Sequence, residues 1–101
     1  MKMCVFFTAA YESLYRDWLL GSLRDDFELM VLKSDKQICP TSKFMEIGWI
    51  ETMLLKIDFI IHVIQKYAGE IFICTDVDIQ FFKPIESDIA ELIMGKDMLL
   101  Q

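Results

Sequence analysis

With 101 residues and a formal charge of −6, the chain is the size of one small domain, and its acidity argues against nucleic acid as a partner, because phosphate backbones recruit Lys and Arg. Apolar residues make up 54% of it, a rich fraction for so short a chain. Even so, no stretch reaches the ~20 uninterrupted apolar residues of a membrane span: Lys56, Asp58, His62, Gln65 and Lys66 break up the richest region.

The N-terminus has one lysine and then a short strand-like run, without the long apolar core and small-residue cleavage site of a signal peptide. The expected location is therefore cytoplasmic. Cys4, Cys39 and Cys74 are odd in number and form no CxxC pair, which predicts buried free thiols in a reducing compartment.

Met3 to Phe7 is a continuous apolar run and predicts a first strand. Small residues, Thr8-Ala9-Ala10, lead into a helix, with Ser13 as the expected N-cap and Asp17 in the first turns. Asp25-Asp26 marks a turn, and Phe27 to Leu32 predicts a second strand. Residues 33–46 are polar, contain Pro40, and predict a loop.

A long helix is expected from about Gly48 to Ala68, with Gly69 as its stop. Its apolar stripe is Ile50, Met53/Leu54, Ile57, Ile60/Ile61 and Ile64, close to the 3.6-residue period. Ile71 to Thr75 predicts a third strand. Asp88 with Glu91 three later has the form of a capping pair for a helix ending at Gly95. Asp97 to Gln101 predicts the start of a fourth strand. Strands alternating with helices predict an α/β fold: a mostly parallel sheet with flanking helices.

The third strand drives into Asp76-Val77-Asp78. Its run is apolar throughout rather than alternating, as in a parallel strand covered on both faces, and such strands present their C-terminal ends to ligand crevices. Side chains two apart on an extended backbone point the same way, ~6.5–7 Å apart along the strand. Two carboxylates so placed repel, and a hard divalent cation, Mg²⁺ or Mn²⁺, relieves the repulsion.

The stretch Ile71-Phe-Ile-Cys-Thr-Asp-Val-Asp-Ile-Gln-Phe-Phe-Lys-Pro-Ile85 resembles the DxD region of nucleotide-diphospho-sugar transferases, glycosyltransferases of the GT-A (Rossmann-like) fold. The resemblance covers essentially the whole chain and implies the N-terminal, donor-binding half of such a fold, because these enzymes are usually much longer. It implies that Asp76 and Asp78 hold Mn²⁺ or Mg²⁺, and that the ion holds the diphosphate of a nucleotide sugar, with a UDP-sugar as the first expectation. It further implies donor contacts from Thr8, Ala9, Tyr11, Lys56, Asp76 and Val77. The acceptor and the catalytic residue stay unassigned.

Each assignment has a plainer alternative. The aspartates could simply cap a strand end. Tyr11 could pack against the first helix, and Lys56 could be a solvated lysine whose methylenes cover apolar surface. His62 is expected at the surface, and Trp49, Phe81 and Phe82 in the core or flanking the sheet. A strand followed by DxD also resembles haloacid-dehalogenase phosphatases, in which Asp76 would be the nucleophile and Asp78 the acid/base. That motif continues with Thr or Val where this chain has Gln80, and it lies near the N-terminus. The third alternative is a truncated domain that binds a nucleotide or a protein and turns nothing over. The apolar end Met98-Leu99-Leu100 adds an expectation of self-association.

Overall fold

The computed structural model describes residues 1–35 and 37–100. Three strands form one parallel sheet: β1 (Lys2–Thr8), β2 (Glu28–Ser34) and β3 (Phe72–Thr75), in the order β2-β1-β3. β1 is central and pairs with both neighbours, Val5 opposite Val31 on one side and Thr75 on the other. That position explains its sequence: a strand covered on both faces is apolar at every residue, and Met3 to Thr8 are all buried.

The first crossover is helical over residues 9–22 and then runs irregularly into β2. A 3₁₀ turn, Ala9–Tyr11, leads into an α-helical turn α1 (Glu12–Leu14) and a π-helical stretch Tyr15–Leu20. The helical chain follows Thr8 directly, so Ser13 lies exposed within it rather than capping it. One face of β1 (Met3, Val5, Phe7) packs with Leu19, Phe27 and Val77 as the core. Phe7 stacks on Tyr15 with ring centroids 4.7 Å apart.

The second crossover carries α2 (Trp49–Lys66) across the other face of β1. Its first residue follows Gly48 at φ 83°. A Cβ there would lie 2.0 Å from the Ile38 carbonyl oxygen, so both the left-handed conformation and the close approach require glycine. The Thr52 hydroxyl donates back to the Gly48 carbonyl at 2.8 Å. The side of α2 turned to the sheet is marked by buried Thr52 and Val63. The predicted isoleucine stripe is instead about half exposed, because the sheet takes the opposite side of the helix.

After β3 the chain passes beneath the first crossover. Phe81 N–H donates to the Ser22 hydroxyl at 2.8 Å. α3 (Glu86–Leu92) starts two residues before the expected Asp88, which pairs with Lys83 instead of capping. The cap comes through space: the Asp25 carboxylate accepts from Ile85 N–H at 2.7 Å and Glu86 N–H at 3.3 Å. Residues 97–100 form no strand, because they find no partner ladder; Gln101 lies outside the described residues. Phe81 is half-buried against the core, whereas Phe82 is exposed.

Candidate functional site

In the order β2-β1-β3 the first crossover leaves β1 for one edge of the sheet, and the second passes from β2 across β1 to the other edge. The C-terminal ends of β1 and β3 therefore flank a topological switch point, where an open α/β sheet leaves room for a ligand. A cleft of about 350 Å³ lies there. Thr8 reaches it from the end of β1, Asp76, Val77 and Asp78 from just past β3, and Lys56 from α2.

Val77 is buried in the core cluster, which anchors the turn, while the aspartates on either side of it are exposed and line the same cleft. The extended-strand reading of Asp76-x-Asp78 thus gives the right sidedness, although β3 itself ends at Thr75. Lys56 is part-buried and ion-paired with Asp76. One cation and two carboxylates leave this end of the cleft with a net negative charge. Two exposed carboxylates with open positions fit a hard divalent cation that completes its shell with water or phosphate oxygens. Among the described residues no three His, Cys, Asp or Glu side chains gather as a protein-only metal cage.

Thr8 is 5% exposed, and its hydroxyl is buried without a hydrogen-bond partner. Burying an unpaired hydroxyl is costly, and this one belongs to a residue lining an open cleft. Tyr11 both lines the cleft and packs against the core cluster. Ala9 is exposed and does not line the cleft.

A further wall comes from the loop between β2 and α2. Gln37 holds it closed: its amide N–H₂ donates to the Cys39 carbonyl at 2.7 Å and the Ser42 hydroxyl at 3.1 Å, and its Oε1 accepts from Ala10 N–H at 3.4 Å. Gln37, Cys39 and Ser42 all line the cleft, as do Trp49, Thr52 and Met53 of α2. Trp49 is thus a cleft residue, with Phe44 edge-on to its ring at 4.7 Å, rather than core. The helical trio could have been read from the sequence, because Trp49, Thr52/Met53 and Lys56 share one face. The loop residues carry no such signal.

Cys4 and Cys74 face each other across β1 and β3. The Cys4 thiol hydrogen-bonds to Cys74 and so holds the Cys74 pKa below the ordinary thiol value; burial opposes this and the Lys56 charge adds to it. The same bond, with burial, pushes the Cys4 pKa up. All three cysteines are free; Cys4 and Cys39 are buried, as expected, and Cys74 is exposed. His62 is exposed. No helix of the described residues is long and apolar enough to cross a membrane.

Compared with known proteins, the chain matches no family model, no curated protein and no solved structure.

Proposed function

We propose that the cleft binds a nucleoside-diphosphate sugar together with Mn²⁺ or Mg²⁺, and that the chain is the donor-binding part of a GT-A-type glycosyltransferase. The observation that carries the reading is one juxtaposition: Asp76 and Asp78 line the same switch-point cleft as Thr8, whose buried hydroxyl has no hydrogen-bond partner within the fold. A metal-held diphosphate and a hydroxyl-seeking ribose or base would answer both needs at once.

In this reading Asp78 is the direct metal ligand. Asp76, already neutralised by Lys56, holds the ion through water or binds the donor ribose. Thr8 gives its hydroxyl hydrogen bond to the bound nucleotide, and Tyr11 offers its ring to the base. Lys56 adds positive charge beside the diphosphate. When bound, the metal supplies Lewis-acid stabilisation of the departing nucleoside diphosphate. The acceptor hydroxyl and its base are assigned no residue, so the chain alone binds donor and transfers no sugar: catalysis needs both partners held in near-attack geometry.

Calorimetry against a panel of nucleotide sugars, with and without Mn²⁺, tests the reading. UDP-sugar binding that requires Mn²⁺ and is lost in Asp78→Asn is expected. Mn²⁺ is also expected to raise the melting temperature of the wild type by binding the folded state, and not that of Asp78→Asn. Equal rises in both proteins would sink the assignment.

A further inference from the structure

The apolar residues of α2 divide between two faces. Thr52 and Val63 are buried on the side of the sheet. Ile50, Leu54, Ile57, Ile61 and Ile64 lie on the other side, each between 46% and 54% exposed. Their spacing is four, three, four, three, and Ile47, just before the helix, extends it by another three and is 89% exposed. Strict alternation of three and four is the a/d pattern of a coiled-coil seam. It makes a narrow line along the helix, distinct from the broader stripe of a helix that packs on a sheet.

The seam has the size of an interface. These five half-exposed side chains, with Ile47, present on the order of 600 Å² per chain, so two seams packed together bury about 1,200 Å², the lower bound of a specific contact. A lone patch of that extent is at the top of what a monomer carries. Glu51, Asp58, His62 and Gln65, all exposed, give the seam a polar border along one flank.

We propose that this outward face of α2 docks on the same face of a second copy of the chain, helix against helix. A seam of strict heptad spacing packs best on a partner helix with the same repeat, and a second copy provides it in an isologous, closed contact. Both copies carry a charge of −6, so screening strengthens the contact; a partner held by ion pairs would be released by salt.

Sedimentation velocity over about 5–200 µM tests this, a range in which mass action shifts a reversible dimer. A dimer that tightens when NaCl is raised is expected. Ile57→Glu should weaken it by about 100-fold or more, each charge being buried twice across a symmetric contact. Phe82→Glu, a control off the seam, should leave it unchanged. Far-ultraviolet circular dichroism checks the fold of each variant, and Leu54→Gln/Ile61→Gln replaces Ile57→Glu should the latter unfold. A monomer throughout the range, open-ended aggregation, a dimer dissolved by salt, or equal effects of Ile57→Glu and Phe82→Glu would overturn the proposal.

Discussion

Lys56 on α2 is ion-paired with Asp76, twenty residues later and just beyond β3. The pair ties the helix to the strand end and occupies one of the two carboxylates of the cleft. As a partly exposed pair it contributes at most ~1 kcal/mol to stability. Its larger effect is on cations: at roughly 4 Å one unit charge costs another about 1 kcal/mol even in water. Lys56→Met is therefore expected to hold Mn²⁺ about 5–10-fold more tightly than the wild type, with a melting temperature little changed. Titration followed by the electron paramagnetic resonance of free Mn²⁺ checks it; weaker binding in the variant would mean that Lys56 does not compete for Asp76.

The Thr8 hydroxyl predicts opposite effects on stability and binding. In the free protein it is buried and unpaired, and such a group costs about 1–3 kcal/mol. Thr8→Val keeps the shape and removes the group. The variant should melt higher than the wild type and bind the nucleotide about 1 kcal/mol more weakly. Loss of stability together with full affinity would show that the hydroxyl serves the fold and not the ligand.

Asp25 holds the start of α3 from 60 residues away. A carboxylate on two backbone N–H groups is a charge-assisted cap. Asp25→Ala should cost about 1–2 kcal/mol and speed amide exchange at Ile85, Glu86 and α3. Exchange that stays unchanged there, with faster exchange elsewhere, would remove Asp25 from this role.

At the opposite end of the sheet, Lys2 hydrogen-bonds to Glu70 at 2.7 Å. That bond raises its pKa above the ordinary 10.5, with help from Glu28 and against partial desolvation. A raised folded-state value means a contribution fully present below the unfolded pKa and lost as pH rises through the folded one. Lys2→Met should therefore melt lower than the wild type at pH 8, and the gap should close under alkali as pH rises through the raised lysine pKa. A gap that persists or widens under alkali would assign the effect to packing of the lysine stem.

Much of the fold follows from local pattern. The continuous apolar run of β1 fits a buried parallel strand. β3, expected to be covered on both faces, is instead a parallel edge strand with none of its residues fully buried and Cys74 exposed. The long helix begins beside Gly48 and stops before Gly69, as the sequence predicts. β2 runs on to Ser34, two residues into the segment expected as a loop. Asp76 and Asp78 were legible as a pair because a period of two is a property of the extended backbone, and burial of Val77 keeps that sidedness in the turn beyond the strand. The π-helical stretch at Tyr15–Leu20 and the through-space cap of α3 left no such trace.

The sequence by itself determined the three strands, the long helix and which two carboxylates share a side, because those depend on neighbours within a few residues and on fixed backbone periods. It also predicted a strand at 97–101 that the described residues do not form. Only the tertiary structure decided which face of α2 the sheet covers, that Lys56 meets Asp76, that Gln37, Cys39 and Ser42 wall the cleft, and that the Thr8 hydroxyl is left unpaired. Each of these depends on where separate crossovers bring groups together. An amphipathic pattern states that a helix has an apolar face, but α2 is apolar on more than one side. The choice between those sides is made by the fit of Thr52 and Val63 against β1, a contact between elements more than 40 residues apart.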